Sequence, residues 1–93
     1  MTEVRYHVGE RLLARLAARH ARQVPGVAGL HPAGATARVE GGSAEVALAI
    51  VTRLGYNCRD VAVAVQRAVG GALTRYTGLD VRVRVTITDV LLD

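Results

Sequence analysis

Residues 80–88, DVRVRVTIT, alternate between polar and apolar side chains without a break. Successive side chains of an extended chain point to opposite faces, so this alternation predicts a strand with one dry and one wet face. The apolar face would carry Val81, Val83, Val85 and Ile87. The polar face would carry Arg82, Arg84, Thr86 and Thr88. Such a strand needs a second layer packed on its apolar face, which restricts the chain to a layered fold containing a sheet.

The composition limits the size and make-up of the core. The chain has 93 residues, which suffice for one domain, and we expect that domain to span residues 1–93. Hydrophobic residues make up 51% of the chain, but Phe and Trp are absent. The core must therefore consist of Val, Leu, Ile and Ala, and in a domain this small it should be simple.

Residues 9–24, GERLLARLAARHARQV, have the period of an amphipathic helix. One side would carry Leu12, Leu13, Leu16, Ala17 and Val24, with His20 as a packed residue among them. The opposite side would carry a basic stripe of Arg11, Arg15, Arg19 and Arg22. Pro25 has no N–H to continue the helix and Gly26 is typical of a helix end, so the helix should stop at this point.

Residues 57–78 predict a second helix, although residues 61–65 also alternate in the manner of a strand. Asn57, with Asp60 three residues later, is typical of a helix start, and Gly78 is typical of a helix end. The apolar stripe of this helix would consist of Val61, Val65, Ala68, Val69, Ala72 and Tyr76.

Further strands are predicted on both sides of the first helix. Residues 3–8 give a weak strand signal, residues 26–32 and 36–40 read as two short strands, and a Gly41–Gly42 turn leads into another. That strand would bury Val46, Leu48, Ile50 and Thr52. The element order is approximately β-α-β-β-β-α-β. We therefore predict an α+β fold, with two amphipathic helices packed on one face of a small, mostly antiparallel sheet.

The glycine-rich stretch RQVPGVAGLHPAG, residues 22–34, resembles a phosphate-binding loop only in composition. It follows a helix and precedes a strand, so no helix N-terminus faces it to hold an anion. The histidines His7, His20 and His31 are scattered and lack the spacing of metal ligands. We predict no cofactor, no metal site and no catalytic residues.

Cys58 is the single cysteine of the chain, and it lies beside Arg59 at the predicted start of the second helix. Both features can activate a thiol. A catalytic cysteine also needs a base, and no histidine pairs with this one in the sequence. We interpret Cys58 as a small semi-buried apolar side chain, with a thiol-dependent enzyme as a remote alternative.

The formal net charge is +4 and every basic residue other than histidine is arginine. A basic RNA- or polyanion-binding module is therefore an alternative function, although aromatic side chains that stack bases are scarce. No apolar run approaches the roughly 20 residues that span a bilayer, and the charged start of the chain is unlike a signal peptide. A lone cysteine gives no sign of secretion, so we expect a cytoplasmic protein.

Three stretches, taken in order, resemble the alkaline shock protein family of bacteria, also called the envelope stress response family. They are QVPGVAGL at residues 23–30, LAIVTRLGYNCRDVAVAVQRAV at residues 48–69 and YTGLDVRVRVTITDV at residues 76–90. The resemblance implies a non-catalytic assembly or scaffold module linked to envelope homeostasis. It also implies self-association and, for some members, attachment to the cytoplasmic side of the membrane through an anchoring partner protein.

The wet face of the predicted sheet is the candidate interaction surface. It would combine Arg82, Arg84, Thr86 and Thr88 with the small residues Ala47 and Ala49 of the preceding strand. Small apolar side chains are an unusual choice for a face that meets only water, and they allow another flat surface to approach closely. We predict a homo-oligomer, most simply a two-fold dimer, formed through this face or through an edge strand.

Overall fold

Two helices and three strands make up the part of the chain that the structure, a computed structural model, describes, namely residues 9–92. In chain order they are α1 (Glu10–Arg22), β1 (Val27–Glu40), β2 (Ser43–Arg53), α2 (Cys58–Thr77) and β3 (Asp80–Leu91). The predicted α+β architecture, with both helices on one face of a small sheet, is confirmed. The strand predicted for residues 3–8 lies outside the described residues.

The sheet has the strand order β1-β2-β3, which leaves β2 in the centre. β1 and β2 form an antiparallel hairpin, and Gly41 at its turn has a φ of 60°, as the sequence signal indicated. β2 and β3 are parallel, and α2 crosses from the end of one to the start of the other. The sheet is therefore mixed, with one antiparallel and one parallel pairing.

The segments predicted as two short strands, residues 26–32 and 36–40, belong to one strand, β1. Leu30 pairs with Ile50 and Ala35 with Leu48, so residues 31–34 bulge out opposite the single residue Ala49. A Cβ added to Gly34 would lie 2.5 Å from the carbonyl oxygen of His31 and 2.8 Å from that of Ala49. The prediction of two strands is wrong because this bulge interrupts the register without ending the pairing.

Local chemistry sets the helix ends much as predicted. α1 ends at Arg22, and Gly26 beyond it has a φ of +93°, which favours glycine. At the start of α2, the Asn57 side chain accepts a hydrogen bond from the Asp60 N–H at 3.1 Å. At its end, Gly78 adopts the left-handed conformation, and its N–H donates to the Thr74 carbonyl at 2.8 Å.

The core lies between the helices and the inner face of the sheet, and β2 is buried most completely. Its inward residues are Ala44, Val46, Leu48, Ile50 and Thr52. The helices contribute Leu13, Ala17, Ala21, Val61, Val65, Val69 and Leu73. The prediction that Leu12, Ala68 and Tyr76 line the buried helix sides is wrong, because all of them are exposed. The buried stripe of α1 is narrow and rich in alanine, which brings that helix close to the sheet and leaves Leu12 outside.

Candidate functional site

The open face of the sheet, on the side away from both helices, is the candidate site. The strand register arranges its side chains in rows that cross all three strands. One row consists of Arg38, Glu45 and Arg82, and the next consists of Thr36, Ala47 and Arg84. Ala49 lies beside Thr86 one row further along. The structure thus places Arg82, Arg84, Thr86, Ala47 and Ala49, predicted from sequence as one surface, on a common face.

The open face is shallow in its middle and charged around it. Ala47 is exposed and Ala49 is half-buried, while the arginine side chains stand on either side. A depression of about 650 Å³ runs over Thr36, Glu45 and Ala47 and reaches the outer edge of β3 at Gln66. Its floor is low because alanine ends at Cβ, so a flat partner surface can come close to the backbone of β2.

Both signs of charge occur on the open face. Glu45 lies in register between Arg38 and Arg82. One row nearer the hairpin turn, Glu40 and Asp80 flank Ser43 and make that end of the face acidic. The face therefore carries arginines on its outer strands, beside the shallow middle, and an acidic end, a pattern that a second copy of the same surface can complement.

Thr88 departs from the predicted row. Ile50 pairs with Ile87 and Val51 pairs with Asp89, so Thr88 is the extra residue of a bulge in β3. Its hydroxyl donates a hydrogen bond to the Ile50 carbonyl at 3.2 Å. Thr88 is exposed, but the bulge sets it next to Asp89 and outside the regular rows of the face.

The basic stripe of α1 is separate from the open face. Arg11, Arg15, Arg19 and Arg22 are all exposed. Because α1 packs on the inner side of the sheet, its outward side is turned away from Arg82 and Arg84. The structure does not bring the two arginine groups together into one basic surface.

Two helix side chains that the sequence analysis did not single out also reach the sheet. Glu10, at the start of α1, accepts a hydrogen bond from the Val39 N–H of β1 at 2.7 Å. Gln66, in α2, donates to the Val83 carbonyl of β3 at 3.2 Å. In the sequence both residues occupy ordinary exposed helix positions. Their contacts with the sheet depend on the tertiary arrangement and could not be predicted from the sequence.

The neighbours of Cys58 and His20 indicate packing roles for both side chains. Cys58 is half-buried as the first residue of α2, and its Sγ lies 3.6 Å from the hydroxyl oxygen of the fully buried Thr52. The ring centroid of His20 lies 6.0 Å from that of Tyr76. Within residues 9–92, no group of three or more His, Cys, Asp or Glu side chains is placed to hold a metal ion. Neither helix of this part is long and apolar enough to cross a membrane.

Comparison with known proteins gives a fold but no family. No family model matches the chain, and no curated protein matches it. Among solved structures, a MamM CTD variant superposes with a TM-score of 0.69 at 22% identity, covering 85% of this chain and 95% of that one. A MamM CTD variant in a zinc form gives a TM-score of 0.70 at 21% identity, covering 88% and 87%.

These likenesses correct the resemblance drawn from the sequence. The fold is that of the MamM CTD structures, and the assignment to the alkaline shock protein family is wrong. The role in envelope stress and the membrane-anchored partner rested on that resemblance and are withdrawn with it. The polyanion-binding alternative gains no support either. At 20–22% identity, what this chain shares with MamM CTD is the fold.

Proposed function

We propose that this chain is a non-catalytic self-association domain, and that two copies form a two-fold dimer through the open faces of their sheets. The observation that carries the proposal is the pattern of that face, in which small residues of β2 lie next to rows that carry both signs of charge. Closed two-fold dimers are the commonest soluble oligomers, and each copy then uses the same patch.

The charge pattern supports a second copy as the partner. In a two-fold arrangement, a patch that carries both signs can set its acidic end, with Glu40 and Asp80, against the arginines of the other copy. Arg82 and Arg84 then gain carboxylate partners. A purely acidic or purely basic partner would leave one of the two charge groups opposed by like charge.

The size of the face sets the expected affinity. Three strands spaced about 4.8 Å apart and some 11 residues long present a face of roughly 500 Å². A standard stable interface buries about 800 Å² on each partner. The dimer should therefore be weak, with a dissociation constant in the micromolar range, and its population should depend visibly on protein concentration.

The fold neighbours make divalent metal the ligand to test beside association. Solved MamM CTD structures include zinc, nickel, cadmium and copper forms. The residues described here do not fit a metal ion within one chain, since no cluster of three ligand side chains occurs among them. The proposed contact uses arginine, threonine and alanine side chains, which are not metal ligands, so the dimer should persist in EDTA.

A catalytic role for Cys58 is not part of this proposal. Its polar neighbour is the Thr52 hydroxyl, which is no general base. Cys58 is also the only cysteine of the chain, and a lone cysteine fits the reducing conditions of the cytoplasm, where we expect the domain to act.

Light scattering coupled to size-exclusion chromatography, run from about 10 µM to several hundred µM, tests the proposal at the micromolar affinity expected. Ala49→Glu and the more exposed Ala47→Glu each place a carboxylate in the shallow centre of the face and should leave monomers. Ala64→Glu makes the same chemical change at an exposed position of α2 and should leave the dimer intact. A monomeric wild type at the highest concentration would overturn the proposal, as would a dimer that only Ala64→Glu dissociates.

A further inference from the structure

The two outer strands of an open sheet can pair with strands of other molecules. β1 and β3 each have one side on which no strand from residues 9–92 pairs. Backbone N–H and C=O groups along such an edge can pair with the edge of another molecule, which leads to uncontrolled edge-to-edge assembly. Soluble proteins commonly block this assembly with side chains, bulges or prolines placed along the edge.

On β1, the block comes from α1. The Val39 N–H donates to Glu10 Oε2 at 2.7 Å, a short hydrogen bond to a carboxylate. Val39 lies opposite Ala44 of β2, but its N–H donates to Glu10 of α1 and not to β2. An added strand would need that N–H, and it would meet the carboxylate of Glu10 in the position of its own carbonyl.

On β3, the block comes from α2. Gln66 Nε2 donates to the Val83 carbonyl at 3.2 Å, which takes up an acceptor on the side of β3 away from β2. Gln66 itself is exposed, so its amide stands in the path that an incoming strand would take. The two helices thus supply complementary groups, an acceptor to one edge and a donor to the other.

Bulges shorten the stretches of edge backbone that Glu10 and Gln66 do not cover. On β1 the bulge at residues 31–34 contains Pro32, which lacks an N–H, and Ala33 with a φ of 60°. Between this bulge and Val39 only residues 35–38 run regularly. On β3, residues 84–87 are the regular run between Val83 and the bulge at Thr88. Each run is shorter than the average strand of about five or six residues.

We propose that Glu10 and Gln66 are edge guards, meaning side chains that hold the ladder positions a foreign strand would need on β1 and β3. Their effect is to keep a second copy, or any extended segment, from adding to the sheet at its edges. Association is then confined to surfaces other than the edges. The inference stands on the two hydrogen bonds and the bulges, and it does not require the face-to-face dimer proposed above.

The test compares five variants with wild type at matched concentration. Glu10→Ala and Gln66→Ala each remove one guard, and the double variant removes both. Glu10→Gln is the conservative control because its amide oxygen still accepts from Val39. Arg67→Ala is the matched control for Gln66, since Arg67 is the adjacent exposed residue of α2. The readouts are light scattering, thioflavin fluorescence and amide hydrogen exchange followed by NMR.

The expected result is that the double variant forms species larger than wild type and binds thioflavin, while both controls behave as wild type. The Val39 amide should exchange about tenfold faster in Glu10→Ala, since it loses a hydrogen bond to a charged group. The inference is overturned if the double variant keeps the size of wild type and stays thioflavin-negative. If Glu10→Ala fails to fold by circular dichroism, Gln66→Ala against Arg67→Ala decides alone, because that change lies away from any helix end.

Discussion

Gly26 joins the end of α1 to the start of β1, and its replacement by alanine should be among the most damaging single-methyl changes in the chain. Its φ is +93°, a backbone conformation that residues with a Cβ rarely adopt. A Cβ at this position would lie 2.7 Å from Tyr56 Cδ1 and 2.7 Å from Val61 Cγ2. The change therefore combines backbone strain with a steric clash.

The cost can be estimated from these two parts. Left-handed backbone costs a residue with a Cβ roughly 1–2 kcal/mol. Forcing a methyl group into a filled space costs roughly 1–3 kcal/mol more. Tyr56 is partly exposed and can move, but Val61 is buried at 3% exposure and cannot. A total of roughly 2–5 kcal/mol is a large part of the 5–15 kcal/mol that stabilises a typical domain.

Two other glycines separate the contributions. Gly55 has a φ of +98° but nothing within 4 Å of an added Cβ, so Gly55→Ala reports backbone strain alone. Gly71 lies inside α2 with open space around it, so Gly71→Ala should stabilise by about 0.5–1 kcal/mol. Urea unfolding of the three variants should rank Gly26→Ala below Gly55→Ala and Gly71→Ala above wild type. The reasoning fails if Gly26→Ala loses less stability than Gly55→Ala.

Two further predictions concern α2. Asn57→Ala removes the side-chain acceptor of the Asp60 N–H and should lower the free energy of unfolding by about 1 kcal/mol, whereas Asn57→Asp, which keeps an acceptor, should not. An equal loss in both variants by urea unfolding would contradict the capping role. Cys58→Ser should keep the circular dichroism spectrum and the oligomeric state of wild type, since within residues 9–92 the thiol contacts the Thr52 hydroxyl and has no paired base. Loss of self-association with the fold intact would contradict that interpretation.

The sequence predicts the features of the fold that are set by neighbours along the chain. Pro25 and Gly26 end α1, Asn57 begins α2, and the alternation after Leu79 marks the buried face of β3. Each depends on backbone chemistry or on a period that a single segment carries by itself. The layered α+β arrangement follows because these segments must cover one another's apolar sides.

Features set by partners far along the chain were not predictable in the same way. Apolar and polar residues alternate in the same way in parallel and antiparallel strands. The sequence of residues 80–90 therefore does not show that β3 pairs with β2 in parallel. Pro32 and Gly34 resemble a strand break, although β1 continues past them. The hydrogen bonds of Glu10 and Gln66 are likewise invisible without the sheet edges that they meet.

The family resemblance failed for a related physical reason. A Pro-Gly helix stop, a Gly-Tyr turn and a Thr-Gly-Leu entry into a strand are local solutions, and many α+β folds use them. Their order along this chain occurs here in the fold of the MamM CTD structures, so it does not identify the alkaline shock protein family. The open face was predictable from the sequence because it depends only on which residues alternate with the buried ones.

The mixed pairing of β2 also has a consequence for the order of folding. Its hairpin with β1 closes across a two-residue turn, and hairpins of this kind form within about 1–10 µs. Its parallel partner becomes available only after α2 has crossed the sheet, so that pairing must overcome the entropy of closing a long loop. The inner face of β2 therefore stays partly uncovered between the two events. We expect the docking of α2 and β3 onto a preformed hairpin to limit the folding rate, and mutations in Val65 or Val83 to slow folding more than mutations in the turn.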